Sequence, residues 1–202
     1  MRVEQFVMAY HVEQDRLRAM LPRGFESLRP VLRFNAELRT EGDKTTPCVE
    51  LNTPVEGEGK RGWLNIARWE GTPLTYDRAE KAVTFRAPFL TLSFTAVGLE
   101  GGCPAERDND GCFYPDRAMA FVPAEQIDVN KEFCDCSFAW SFRSGDAHGE
   151  STRETLPAFP MDRAAVYPAA PLTAEEAASI PCDQVLGCYV VRFDRWVILF
   201  PN

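Results

Sequence analysis

The sequence contains few lysines, few histidines and no long apolar run. The chain has 22 lysines and arginines together, and its only lysines and histidines are Lys44, Lys60, Lys81, Lys131, His11 and His148. Few amines leave few candidates for chemistry in which a lysine forms an imine. The N-terminal residues lack the apolar stretch of a secretion signal, and no stretch approaches the roughly 20 apolar residues of a membrane span. We therefore expect a cytoplasmic protein without membrane contact.

The charge balance is acidic, and the cysteines follow no framework. The net charge is −8, with a sequence pI near 4.9, so nothing favours a nucleic-acid partner. Seven cysteines are an odd number without disulfide spacing, which suits reduced thiols. Cys134 and Cys136 could form half of a metal site, but no close His or Cys pair completes it, and packing as small apolar groups is the alternative. We expect no metal and no cofactor.

Apolar alternation predicts many short strands in a single domain spanning residues 1–202. The predicted strands cover 3–12, 30–39, 48–55, 62–69, 82–87, 89–96, 112–122, 134–143, 150–155 and 185–200. Pro88 is predicted to hinge the two central segments, polar turns are predicted at 42–47 and 98–111, and the proline-rich stretch 157–171 cannot be regular throughout. Strands at this spacing without alternating helices favour a mostly antiparallel barrel or sandwich.

Two short helices interrupt the strands. Asp15 is a candidate N-cap for a helix that ends at Pro22, and Thr173 is the candidate N-cap of a second helix through Ile180. Glu175 and Glu176 would lie in the first turn of the second helix, where the helix dipole favours carboxylates. The fold class expected from these patterns is mainly β.

Two strands carry polar rows with open interpretations. In 30–39, the face opposite the apolar residues carries Arg33, Asn35, Glu37 and Arg39, which are either solvated or line a wet barrel interior. In 62–69, simple alternation places Trp63, Asn65 and Trp69 on one face. Two indoles favour burial, so Asn65 would need hydrogen-bond partners and is a candidate cavity-lining residue.

Several segments together resemble the acetoacetate decarboxylase family. The resemblance rests on Tyr10, the helical Asp15-Arg16-Leu17-Arg18-Ala19-Met20-Leu21-Pro22, the turn Pro22-Arg23-Gly24-Phe25, the strand Pro30-Val31-Leu32-Arg33-Phe34, and then residues 48–55, Gly62-Trp63-Leu64-Asn65, Pro73 and residues 185–191. Their order and spacing agree with the family over most of the chain. The resemblance implies a closed, cone-shaped antiparallel β-barrel with two or three short helices and a central cavity, assembled as a homo-oligomer.

The family's catalytic lysine pair has no match at its expected place. In that family one of two adjacent lysines forms a Schiff base with a β-keto acid, and the pair would fall near Arg86 and Ala87 here. Arginine cannot serve as that nucleophile, although Arg86 can bind a carboxylate bidentately. Lys81 is the nearest amine, on the opposite face of a regular strand. The resemblance also gives Glu50 the place of an assisting acid and Arg2, shifted by one residue, that of an active-site arginine.

The leading hypothesis is a barrel that binds a small acidic or oxo-acid ligand. The expected ligand-binding residues are Arg86, Arg33, Asn65, Arg2 and Trp63, and the candidate catalytic residues are Glu50, Glu37 and Lys81. In this hypothesis a carboxylate acts as acid or base in a lyase or hydratase reaction without a Schiff base. Two alternatives stay open: a non-catalytic small-molecule binding protein, and a decarboxylase that uses Lys81.

Overall fold

Strands form nearly all of the regular structure. The computed structural model describes residues 1–101, 112–114, 119–120, 125–127, 131–142, 148–152 and 172–195. The strands are β1 (Arg2–His11), β2 (Phe25–Ser27), β3 (Val31–Glu41), β4 (Lys44–Gly57), β5 (Lys60–Glu70), β6 (Thr75–Ala79), β7 (Ala82–Ala87), β8 (Leu90–Gly101), β9 (Cys112–Phe113), β10 (Met119–Ala120), β11 (Glu125–Ile127), β12 (Lys131–Trp140), β13 (His148–Thr152) and β14 (Gln184–Arg195). The helices are α1 (Gln14–Met20) and α2 (Ala174–Ala178). The mainly β class is confirmed.

The longer strands agree with the predicted segments, whereas β2, β6 and β11 were not predicted. Three local predictions need correction. β8 continues to Gly101, so residues 98–101 of the predicted loop are strand. β4 already begins at Lys44, so the turn predicted at 42–47 is shorter than expected. Pro88 is part of a hairpin turn and not a hinge, because Ala87 pairs with Leu90 and β7 runs antiparallel to β8. Parts of the predicted loop 98–111 and of the predicted strands 112–122, 150–155 and 185–200 lie outside the described residues, as does the proline-rich stretch 157–171.

One of the two predicted helix caps is correct. Thr173 caps α2, accepting from the backbone N–H of Glu176 while the Glu176 carboxylate accepts from the backbone N–H of Thr173, which is a capping box. The cap of α1 is Glu13, not Asp15, because the Glu13 carboxylate accepts from the backbone N–H groups of Asp15 and Arg16. A carboxylate two residues before the predicted cap therefore satisfies the first free donors of α1.

All strands belong to one 14-stranded sheet. The hydrogen-bonded order is β10-β9-β5-β4-β3-β1-β14-β12-β8-β7-β6, with β2 on β4, β11 on β14 and β13 on β12. Every pairing is antiparallel except that of β5 with β9. The last strand, β14, lies between β1 and β12 and joins the N-terminal strands to the rest of the sheet.

One face of the sheet surrounds an aromatic core. The apolar even-numbered residues of β1 and β3, among them Phe6, Tyr10 and Phe34, are fully buried there. The Tyr10 ring stacks on Phe138 of β12 at 4.6 Å between ring centroids. Phe6 also contacts Phe85 of β7 at 5.8 Å, so strands far apart in the sheet order meet across the core. The sheet is therefore rolled around this core.

The predicted closure of the barrel is not confirmed. Within the ranges given above, the sheet path ends at β10 on one side and β6 on the other, and no ladder joins these two ends. The β6 edge nevertheless reaches β1 through side chains, because Arg78 donates two hydrogen bonds to Glu4. None of the helices in the described part is long and apolar enough to cross a membrane.

Candidate functional site

The face of the sheet opposite the aromatic core carries a buried group of polar side chains. We name it the polar layer, and its members are Gln5 on β1, Arg33, Asn35 and Glu37 on β3, Glu50 and Asn52 on β4, and Trp63 and Asn65 on β5. Strand pairing places them on one face, since Arg33 faces Asn52 and Asn35 faces Glu50. Arg33 is only 3% exposed and Glu37 only 5%. Charged side chains are rarely buried so deeply unless paired or functional.

A β-bulge in β5 sets the polar layer's edge. Asn52 pairs with Asn65 while its neighbour Leu51 pairs with Ala67, so β5 contains one extra residue between these pairs. The bulge reverses the alternation, which directs Trp69 into the aromatic core and Arg68 to the side of Glu50. The prediction that Trp63 and Trp69 share a face is therefore wrong. Trp63 and Asn65 remain on the polar side.

Glu37 is the centre of an ion-pair network. Its carboxylate accepts from Gln5 Nε2 at 3.0 Å, from Arg39 Nε at 2.6 Å and from both terminal nitrogens of Arg195 at 2.9 and 3.0 Å. Burial raises the pKa of Glu37, but the hydrogen bonds and charges of Arg195 and Arg39 outweigh it, and the net pKa lies below the ordinary value. Glu37 thus stays ionised, and its lone pairs are occupied by fixed donors.

Arg33 occupies the other end of the polar layer. Its guanidinium lies over the Trp63 ring, 4.5 Å from the centroid, in a cation–π contact. Arg33 Nε is buried and donates no hydrogen bond to any described residue. The nearby Asn35 Oδ1 is also buried and accepts none from the described residues. Asn65 Nδ2 donates to Asn52 Oδ1 at 2.9 Å, so these two amides are mutually satisfied. An unpaired donor and an unpaired acceptor on one strand face are the groups that a polar ligand or water would satisfy.

Glu50 differs from Glu37 in its protonation tendency. Burial and the nearby negative charge of Glu37 raise the pKa of Glu50, against the opposing effect of Arg68, Arg39 and the Asn52 hydrogen bond. Arg68 NH1 lies 3.3 Å from Glu50 Oε1, but the same guanidinium is shared with Glu70, to which Arg68 NH2 donates at 2.6 Å. A partly buried carboxyl with a raised pKa is a candidate proton donor or acceptor.

The structure brings together some of the predicted site residues and not others. Those brought together in the polar layer are Glu37, Glu50, Arg33, Asn65 and Trp63. Lys81 lies in the exposed turn between β6 and β7, and Arg86 is exposed on β7 in an ion pair with Asp77. Arg2 is exposed on the opposite face of β1.

Sequence reasoning missed Gln5, Asn52, Arg68 and Arg195. Asn52 follows Glu50 by two residues in a predicted strand, so strand alternation places it on the same face as Glu50, which the family resemblance had selected. Gln5 and Arg195 carry no comparable signal, because their contact with Glu37 depends on β1 and β14 pairing beside β3. Cys134 and Cys136 are buried in the aromatic core. The described part of the chain contains no group of three His, Cys, Asp or Glu side chains placed to hold a metal ion.

Comparison with known proteins gives similarity in structure only. No protein-family model matches the chain, and no curated protein matches it significantly. The structure is similar to that of acetoacetate decarboxylase from Legionella pneumophila subsp. pneumophila str. Philadelphia 1, with 12% identity, coverage of 96% of this chain and 82% of that one, and a TM-score of 0.56. An acetoacetate decarboxylase-like enzyme from Sphingomonas wittichii RW1 matches with 12% identity, coverage of 95% and 87%, and a TM-score of 0.50. The fold of this chain is therefore that of the acetoacetate decarboxylase-like proteins.

Proposed function

We propose that the protein binds a small oxo-acid or related anionic metabolite at the polar layer, and that Glu50 acts on it as a general acid or base. The reaction would be of the lyase or hydratase type and would need no Schiff base. The proposal includes the predicted closed barrel, a homo-oligomeric assembly and a cytoplasmic location, in keeping with the free cysteines among the described residues.

The observation that carries the proposal is the unpaired Arg33 Nε. A buried guanidinium donor without an acceptor is costly, and a ligand carboxylate or carbonyl oxygen would remove that cost with a charge-assisted hydrogen bond. The cation–π contact with Trp63 fixes the guanidinium beforehand, which lowers the ordering cost of binding. Asn35 Oδ1 offers an acceptor for a ligand hydroxyl on the same face.

Glu50 supports catalysis over simple binding. Its raised pKa favours the protonated carboxyl relative to an ordinary glutamate, whereas Glu37, whose pKa is lowered, provides a fixed negative charge beside it. Two carboxyls with opposite pKa shifts are the arrangement expected for a site that needs one proton donor.

A second candidate function is a binding protein in which Glu50 is purely structural. The ion pair between Glu50 and Arg68 favours this candidate.

A lysine-dependent decarboxylase has less support. A lysine nucleophile is activated by desolvation or by a neighbouring cation in a pocket. Lys44, Lys60 and Lys81 are all exposed, and the polar layer as described contains no amine.

The test combines binding and turnover on one panel of acids: pyruvate, 2-oxoglutarate, acetoacetate and 2-oxobutanoate. Binding is measured by calorimetry, and products are followed by NMR. Replacing Arg33 by Met keeps the packing on Trp63 and removes the donor, so we expect affinity to fall at least about tenfold, or about 1.4 kcal/mol. Arg61→Met, which changes an exposed arginine that is 3.4 Å from Glu56, is the matched control.

Glu50→Gln separates the two candidate functions. We expect it to bind the acid within about threefold of the unmodified protein and to lose turnover by a factor of about 100 or more. Binding without turnover in either protein would favour the binding-protein candidate. Equal affinity of Arg33→Met and the unmodified protein would place the ligand elsewhere. An adduct on a lysine after borohydride reduction would instead support Schiff-base chemistry.

A further inference from the structure

A chain of alternating charges borders the polar layer and spans three strands. Strand pairing places the side chains in two rows, of which the first is Glu37, Cys48 and Glu70 and the second is Asn35, Glu50 and Arg68. Because Arg68 lies directly opposite Glu50, an ion pair between these two is the contact that antiparallel pairing favours. Glu70 follows Arg68 by two residues on the same strand face, so it competes for the same guanidinium.

Glu70 binds the Arg68 guanidinium more closely than Glu50 does. Arg68 Nε and NH2 donate to Glu70 Oε2 at 3.2 and 2.6 Å, whereas Arg68 NH1 lies 3.3 Å from Glu50 Oε1. Glu70 is itself held in place, because Arg39 NH1 donates to its other oxygen at 2.9 Å while Arg39 Nε donates to Glu37 at 2.6 Å. The guanidinium is therefore turned toward Glu70, although Glu50 is its direct cross-strand neighbour.

The groups that act on the protonation of Glu50 come from each strand packed against it. They are Glu37 and Arg39 of β3, Arg68 of β5, Cys48 and Asn52 of β4, and Cys112 and Tyr114 in and after β9. Burial raises the pKa of both thiols and of the phenol, so these three groups are neutral at pH 7. The fixed charges that act most strongly on Glu50 are therefore Glu37, Arg68 and Arg39.

We propose that Glu70 is a positioning residue that holds the Arg68 guanidinium back from Glu50 and so leaves the Glu50 carboxyl able to keep its proton. Glu70 acts on the reaction only through Glu50, so this inference rests on the proposed function. A bidentate ion pair with Arg68 would instead stabilise the Glu50 carboxylate and favour loss of the proton.

Glu70 is suited to this role because it is charged and the more exposed of the two carboxyls. Burial raises the pKa of Glu70, but the hydrogen bond from Arg68 and the charges of Arg39 and Arg68 outweigh it, and the net pKa is lowered. Glu70 therefore stays ionised and keeps its contact with the guanidinium at neutral pH.

The test is the titration of Glu50, followed by carbon NMR of isotope-labelled glutamate side chains at constant ionic strength. The Glu50 signal is identified by its absence from Glu50→Gln. Glu70→Gln keeps the shape of the side chain and removes its charge, so Arg68 should turn to Glu50. We expect the titration midpoint of Glu50 to fall by about half a pH unit or more. Arg68→Met should raise the midpoint, and Arg68→Lys should give a value between those of Arg68→Met and the unmodified protein.

A double variant tests whether Glu70 acts through Arg68. In an Arg68→Met background, Glu70→Gln should shift the Glu50 midpoint by less than about half as much as in the unmodified protein, because the guanidinium that Glu70 positions is gone. Equal shifts in the two backgrounds would mean that the charge of Glu70 acts on Glu50 directly, which would overturn the positioning role.

Glu56→Gln is the matched control. It removes a carboxylate that lies 3.4 Å from Arg61 across the same two strands, at the other end of β4, and it should leave the Glu50 midpoint unchanged. If the midpoint in Glu70→Gln rises, or stays within about 0.2 pH unit of that in the unmodified protein, the inference is overturned.

Turnover reports separately on the proposed function. With an acid that the protein converts, the limb of the pH profile that reports Glu50 should move in Glu70→Gln in the same direction as the NMR midpoint. A shifted midpoint in a protein that converts none of the acids would support the positioning of Arg68 by Glu70 while contradicting the proposed catalysis. Turnover by the unmodified protein with an unshifted midpoint in Glu70→Gln would do the reverse.

Discussion

Glu37 and Glu50 lie on neighbouring strands of one face, yet their surroundings shift their pKa values in opposite directions. Glu37 accepts from Gln5, Arg39 and Arg195, and these donors more than offset its burial. Glu50 is buried beside the charge of Glu37 and shares its arginine with Glu70, so its pKa rises. The opposite shifts of the two carboxyls therefore depend on which donors the neighbouring strands supply.

Glu37→Gln tests the anchoring role through acid stability. The pKa of Glu37 is lower in the folded than in the unfolded state, so its stabilising effect is complete above about pH 4.3 and is lost as the pH falls through the folded value. At pH 7 we expect the free energy of unfolding to drop by about 3 kcal/mol, since Arg195 and Arg39 lose a buried counter-ion. In urea titrations from pH 7 to 3, the difference between the two proteins should shrink below about pH 4.3. The control is Glu41→Gln, at an exposed end of β3, which should show neither effect. If the stability difference between Glu37→Gln and the unmodified protein did not change with pH, the anchoring role of Glu37 would be contradicted.

At the scale of elements, the alternation of β-strands explains both what the sequence predicted and what it missed. Period-two alternation placed Arg33 and Glu37 together on one polar face, because one buried face fixes the register of a strand, but it left open whether that face is solvated. Glu50 came from the family resemblance instead. Alternation assigned Trp69 to the wrong face of β5. The bulge in β5 has no signature in the local sequence, and beyond Asn65 it exchanges the side chains that point to the two faces. Contacts across strands, including those of Arg195, require the strand order, which periodicity does not contain.

Gly57 at the end of β4 offers a prediction at this scale. A Cβ there would lie 2.6 Å from Cδ1 and Cε1 of Phe25, whose ring packs edge-on against Phe113 at 5.0 Å. We expect Gly57→Ala to lower the free energy of unfolding by about 2 kcal/mol through overpacking. In a Phe25→Leu background the same change should cost less, because the clashing ring atoms are gone. Both losses in free energy of unfolding are measured by urea unfolding. Equal losses in the two backgrounds would show that the Phe25 ring is not what excludes a side chain at residue 57.

At the scale of the whole molecule, the sheet depends on its last strand. β14 pairs with β1 along its length and also with β12 and β11, so it joins strands that are distant in sequence. The overall fold class was predictable because it follows from many short local patterns. The central position of β14 was not, because nothing in residues 185–200 beyond apolar character indicates which strands lie on either side.

Removal of β14 should abolish the fold. A chain ending at Asp183 loses the partner of β1, the Arg195 contact to Glu37 and the packing of Tyr189, Val191 and Phe193. We expect it to show no cooperative thermal transition by circular dichroism and no dispersed amide signals by NMR. Adding the peptide 184–195 in excess should partly restore the cooperative transition and the dispersed amide signals, because the peptide supplies the missing strand. A truncated chain that still unfolds cooperatively would show that the two parts of the sheet are stable separately.

The central place of β14 also bears on how the protein is made. A ribosome releases β1 well before β14. Until β14 emerges, the nascent chain carries two unfinished half-sheets whose facing edges are β1 and the part of β12 at Glu132 and Phe133. Open edges of this kind recruit strands from other molecules. Newly made copies are therefore exposed to exchange of β14 between molecules, and crowding of translating chains should raise the yield of interlocked dimers.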